Sequence, residues 1–113
     1  MNEPTWTSEF EVQAWLWNAL RELGFNVRGE VKYRLEDRAY CRFDLAEFDS
    51  AGLLVGVIEV KARPVKHRTA GGWKATRQGK RYTALNVPVV LICGMEQAES
   101  LVESARACGS LFT

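Results

Sequence analysis

No run of this 113-residue chain approaches the roughly 20 consecutive apolar residues that a membrane-crossing helix needs, and its N-terminus has no basic stretch leading into an apolar one. Neither a span nor a leader is expected, so the reading is a soluble, cytoplasmic protein of a bacterial or viral system. Cysteine is scarce. Cys41, Cys93 and Cys108 are odd in number, widely spaced and set in apolar contexts, which speaks against a disulfide framework or a zinc site and for reduced core thiols. Repeats and low-complexity segments are also missing. The most informative gap is in negative charge. Between Glu59 and Glu96 there is no acidic residue, while Lys61, Arg63, Lys66, Arg68, Lys74, Arg77, Lys80 and Arg81 fall in that interval. A net charge of +1 therefore hides a concentrated basic segment. It is either a solvated helix face or a surface for phosphate.

The length and a hydrophobic content of 47% suit one compact domain over residues 1–113. Ser8 with Glu11 reads as a capping box, and Val12, Trp15, Leu16, Ala19, Leu20 and Leu23 follow at helical spacing up to Gly24. At about 100° per residue, Glu9 falls inside the apolar arc, either serving the helix dipole or reaching a site. Phe10 and Trp17 lie on the other side, spaced as a surface for a partner such as a second copy of the chain.

Residues 25–35 read as a strand containing Glu30, residues 34–38 as a polar turn, and residues 40–48 and 53–60 as a hairpin around Asp49 to Gly52. Residues 61–72 form a basic loop, 73–85 a helix with Ala75, Gln78, Gly79 and Tyr82 inward, 87–93 a strand and 95–107 a last helix with Ala98, Leu101, Val102 and Ala105 inward. The order is α-β-β-β-α-β-α, an α/β class with a mixed central sheet flanked by helices. The last two strands should be parallel across a β-α-β crossover.

Three polar residues interrupt the most β-prone part of the chain: Asp44, Glu59 and Lys61. If Asp49 faces Gly52 across the turn, Asp44 faces Val57 and Arg42 faces Glu59. Asp44, Glu59 and Lys61 then share one face, because alternate residues of a strand do. The inference depends on register, since a shift of one residue would separate them. Two buried carboxylates repel each other and are costly to desolvate, so a bound cation explains them. Carboxylate oxygens with the Val60 carbonyl suit a hard ion that keeps waters, Mg²⁺ with Mn²⁺ as substitute. Such an ion activates water and neutralises a phosphodiester. Lys61 would orient or deprotonate the water, stabilise the phosphorus centre, or only neutralise Glu59.

Asp44 followed by Glu59-Val60-Lys61 on adjacent strands, with a glutamate-bearing helix before and a helix and strand after, resembles the PD-(D/E)XK nuclease superfamily. Val57 to Lys61, Arg77-Gln78 and Asn86 to Val90 are most similar to its small VRR-NUC and RecB-like members, the latter carrying a glutamine and tyrosine that match Gln78 and Tyr82. Phe43 stands where the family signature has proline, and the Val-Arg-Arg signature is not present.

The resemblance implies a restriction-endonuclease-like domain in which Asp44 and Glu59 bind Mg²⁺, Lys61 is catalytic and Glu9 completes the carboxylate set, with Glu11 and Glu30 as alternatives. Gln78 would contact the metal's water network or DNA. Nucleic acid would meet Arg63, Lys66, Arg68, Lys74, Arg77, Arg81 and Tyr82. The expected activity is metal-dependent endonuclease cleavage of DNA, selective for branched, flap or junction structure, by a protein that pairs as a homodimer. The alternatives are a silent nuclease-fold binding module and an RNA-directed nuclease.

Overall fold

A computed structural model describes residues 8–34, 40–61 and 86–112. They form α1 (Glu9–Glu22), β1 (Val27–Arg34), β2 (Tyr40–Phe48), β3 (Leu54–Lys61), β4 (Val89–Cys93) and α2 (Met95–Cys108). The expected helix over 73–85 and the basic loop before it lie outside the described residues. No described helix is long and apolar enough to cross a membrane.

Helix α1 starts where Ser8 Oγ accepts the Glu11 amide at 3.2 Å, satisfying one of the donors a helix N-terminus leaves over. Val12, Leu16 and Leu20, one turn apart, are fully buried. Trp15, expected inward, is 38% exposed. The buried arc is turned away from it, toward Trp17, which packs on the core together with Ala19 and Leu23. Trp17, expected to be exposed, is instead half-buried: its Nε1 donates to the Val27 carbonyl at 3.0 Å and the Arg21 guanidinium lies 4.9 Å from the ring. The incoming β1 runs along that side of the helix. Replacing Ser8 by Ala is expected to cost about 1 kcal/mol, the usual worth of such a cap, read as a lower urea midpoint with unchanged slope.

The four strands run in the order β1-β2-β3-β4, antiparallel, antiparallel and then parallel. The parallel β3–β4 pair is the one anticipated. Residues from Gly56 to Val60 on β3 are all buried, as a strand covered from both sides should be. Both described helices cover one face, where Val12, Leu16, Leu20, Ala98, Val102 and Ala105 meet Leu45, Ile58, Val60 and Ile92. The other face carries Cys41, Phe43, Ala46 and Val57, with Val31, Tyr33 and Leu91 against them. All three cysteines are free thiols, but only Cys41 is buried; Cys108, expected in the core, is exposed at the end of α2.

The hairpin differs from the expected one in two ways. Asp49 faces Leu53, not Gly52: its amide donates to the Leu53 carbonyl at 2.9 Å, and its Oδ1 accepts the Ala51 and Leu53 amides, both at 2.9 Å. The loop therefore holds three residues, with Gly52 at φ +84° in the left-handed position such loops require. A second irregularity follows at Glu47/Phe48, where Phe48 pairs with Leu54 but Glu47 with Gly56, leaving Val55 as an extra residue. Each shift moves the register by one. Together they move it by two, which preserves the face relationship between β2 and β3.

Candidate active site

The regular ladder between β2 and β3 ends at Leu45 opposite Ile58. Beyond it, side chains replace backbone as acceptors. The Asp44 amide donates to Glu59 Oε2 at 3.2 Å, and the Val60 amide donates to Asp44 Oδ2 at 2.8 Å. Each carboxylate is thus fixed by the backbone of the opposite strand, in the gap where ladder bonds stop. By continuation of the register, Asp44 stands across from Glu59, and not from Val57 as a two-residue turn would place it.

Strands β1 and β2 turn over at this level. Val27 and Leu45 pack under the helices, while Val31, Phe43 and Tyr33 pack on the other face. Residues two apart normally share a face, so the chain must rotate between them. It does so at Glu30 and Asp44, the one position missing from the β1–β2 register between Gly29↔Leu45 and Val31↔Phe43. Glu30 has φ +54°, a left-handed value that L side chains rarely adopt. Its carboxylate is anchored from two elements: Gln13 Nε2 on α1 donates to Oε1 at 2.9 Å, and Arg42 reaches Oε2 through Nε at 2.9 Å and Nη2 at 2.7 Å. Gln13 Nε2 also donates to the Asp44 carbonyl at 3.2 Å, tying α1 to the site strand.

These residues surround an open cleft of about 550 Å³ lined by Glu9, Phe10, Gln13, Glu30, Arg42, Asp44, Glu59 and Lys61. Four expected site residues, Glu9, Asp44, Glu59 and Lys61, therefore meet at one place. Glu9 lies on the arc of the buried stripe but a turn before the core begins, so the stripe runs off into the cleft. Glu11 is not among the residues that line this cleft; its backbone amide serves the helix cap. Val60 contributes its amide, with its side chain in the core. Sequence reading missed Gln13, Phe10 and Arg42 as cleft residues; the i, i+4 spacing of Gln13 from Glu9 was the available signal for the first. Gln78 and Arg63, Lys66, Arg68, Lys74, Arg77, Arg81 and Tyr82 lie outside the described residues. A second open cleft, about 450 Å³, contains Glu47 and Arg106 beside the ends of α1 and α2 but gathers no acid pair.

Glu59 is 2% exposed and is the buried charged residue among the described residues. Burial is the largest influence on Asp44 and raises its carboxyl above the ordinary range, with Glu30 adding repulsion; the Val60 amide, Lys61 and a hydrogen bond with the Glu59 side chain pull the other way without prevailing. Glu30 is held low, chiefly by the Gln13 hydrogen bond and then by Arg42. The native state keeps its Asp44 proton to higher pH than the unfolded chain, so this group favours folding on the acid side and loses that contribution as pH rises through the raised pKa. Asp44→Asn is expected to gain stability over wild type as the pH rises from about 4 to about 7, by the sign of this linkage. Urea midpoints at the two pH values measure it, and a gain that shrinks with pH would contradict it.

Among the described residues, no group of three or more His, Cys, Asp or Glu side chains is placed to hold a metal ion. A pair remains, Asp44 and Glu59. No protein-family model, curated protein or solved structure matches this chain.

Proposed function

We propose that this chain is a Mg²⁺-dependent endonuclease with a restriction-endonuclease-like fold, hydrolysing phosphodiester bonds in DNA at branched, flap or junction structures. The observation that supports it is the pair of hydrogen bonds across the strand gap, from the Asp44 amide to the Glu59 carboxylate and from the Val60 amide to the Asp44 carboxylate, with Lys61 lining the same open cleft. A stability role alone does not account for two acids converging where one of them is buried and the other has its carboxyl raised.

Asp44, Glu59 and the Val60 carbonyl would hold Mg²⁺, or Mn²⁺ in its place. The donor set fits, because Mg²⁺ keeps several waters and needs only one or two carboxylates. When bound, the ion supplies a more acidic water and neutralises charge on the phosphodiester. The chain's own part is preorganisation: the Val60 and Asp44 amides fix the two carboxylates before substrate arrives, so no reorganisation is needed during reaction. Lys61 brings an ammonium to the cleft to orient the attacking water and offset charge on the phosphoryl oxygens. Glu9 adds a third carboxylate on the wall formed by α1. The basic residues between 61 and 81, with Gln78 and Tyr82, remain the proposed DNA-contacting segment, and pairing of two copies remains part of the reading.

The test is cleavage of single-stranded, duplex, flap and four-way-junction DNA, and of RNA, with Mg²⁺, Mn²⁺ or EDTA. Metal-dependent cutting of flap or junction DNA is the expected result. Cutting of no substrate ends the reading, and preference for RNA replaces DNA as the substrate.

A further inference from the structure

Phe10 is 76% exposed and lines the carboxylate cleft from the first turn of α1. It sits roughly 120° around the helix from Leu16, the centre of the buried stripe, so it takes no part in the α1 core. Among the described residues, its ring belongs to neither hydrophobic cluster. Arg42 lines the same cleft with its side chain 72% exposed, and its guanidinium is held by two bonds to Glu30, which Gln13 in turn holds. Arg42 and Lys61 are the cations of that cleft among the described residues, set against Glu9, Glu30, Asp44 and Glu59.

We propose that Phe10 is a stacking platform for an unpaired nucleobase next to the scissile phosphate, and that Arg42, fixed by Glu30, contacts the strand's phosphate backbone. This rests on the nuclease reading of the cleft and specifies its substrate: a strand with at least one unpaired nucleotide at the cut. The reason is chemical. A base inside a duplex has both faces covered by its neighbours, whereas an unpaired base offers a free face to an aromatic ring whatever its identity. The acidic wall repels a polyanion, so the phosphate needs a cation held in place before binding. The Glu30–Arg42 fork provides one. The left-handed backbone at Glu30 is the conformation that brings its carboxylate to both Gln13 and Arg42.

The experiment is fluorescence anisotropy with a labelled oligothymidylate and a labelled blunt-ended hairpin, in EDTA so that nothing is cut, using the full chain. Phe10→Ala is expected to weaken oligothymidylate binding by about 5- to 100-fold, the range for losing one base–aromatic stack, with hairpin affinity changed less than about twofold and the melting temperature unchanged. Phe10→Leu keeps apolar bulk without a π face and should lose binding like Ala; Phe10→Trp should retain it. Arg42→Ala is expected to weaken both ligands and lower the slope of log affinity against log salt by about one.

The proposal is overturned if Phe10→Leu binds oligothymidylate as wild type does, or if wild type binds neither oligonucleotide. It is also overturned if Phe10→Ala lowers the melting temperature by several degrees or only splits a dimer, since the ring then packs on this chain or on a second copy. Failure here is separable from failure of the nuclease reading: cleavage that depends on Asp44 with no effect of Phe10 sinks the stacking role alone. Phe10-dependent binding without any cleavage leaves stacking in place and removes the enzyme.

Discussion

Asp44→Asn and Glu59→Gln are each expected to lower metal-dependent DNA cleavage by roughly 10³-fold or more, equivalent to about 4 kcal/mol of transition-state stabilisation, while leaving the fold intact. Both substitutions keep the shape and an oxygen acceptor for the opposing amide, so the bonds from Val60 to residue 44 and from Asp44 to residue 59 can persist. What each removes is a negative charge. In the native state the Asp44 charge costs stability, because burial raises its carboxyl. A site that costs stability and supplies activity should separate the two on neutralisation. The Asp44→Asn chain should melt no lower than wild type near neutral pH, and the doubly neutralised chain should be no less inactive than either single variant, since groups acting on one centre are not additive. Steady-state cleavage of a flap substrate and thermal melts on the same preparations measure both sides. Variants that cut at more than about a tenth of the wild-type rate, roughly 1.4 kcal/mol of loss, would contradict it.

Phe43→Ala is expected to cost about 3–5 kcal/mol of folding stability, the range for deleting a buried phenyl ring, and to take activity with it. Phe43 is fully buried on the face opposite Leu45, with the Tyr33 ring centroid 5.7 Å away. The two residues that flank Asp44 are therefore anchored to opposite faces of the sheet, and that is what holds the turnover of β2 in place. Removing the ring leaves a cavity and lets the strand untwist, so Asp44 loses its fixed approach to the Val60 amide. The loss is a large part of the 5–15 kcal/mol that holds an ordinary domain together. Urea unfolding checks it; a loss under about 1 kcal/mol, the value for a ring that packs on little, would show that the turnover needs no anchor there.

The sequence announced the elements better than the joints between them. Val12, Leu16 and Leu20 declare α1 because burial on one face imposes a period near four, and the almost wholly apolar β3 declares a strand covered on both faces. Asp44, Glu59 and Lys61 stood out as polar residues inside that apolar stretch, and they do line one cleft. The hairpin that joins their strands differs from the expected one in detail. The loop holds one residue more than assumed and Val55 adds another, and the two errors cancel in a structure whose face alternation has period two.

The rotation at Glu30 and Asp44 had no counterpart in the pattern of polar and apolar residues, because a left-handed backbone at a glutamate is set by its tertiary partners and not by its own preference. The same holds for Gln13 and Arg42, which look like ordinary exposed polar residues until α1 and β2 are placed beside β1. Trp15 and Trp17 exchanged their expected environments because a helix wheel gives the period of burial but not where neighbouring strands approach.

The claim on which all of this depends is that Asp44 and Glu59 share one divalent cation. Crystals soaked in Mn²⁺ and measured at a wavelength where manganese scatters anomalously test it directly. The expected result is a single peak coordinated by both carboxylates and the Val60 carbonyl, lost in the Asp44→Asn protein. A peak bound by one carboxylate alone, or none in the cleft, would contradict it.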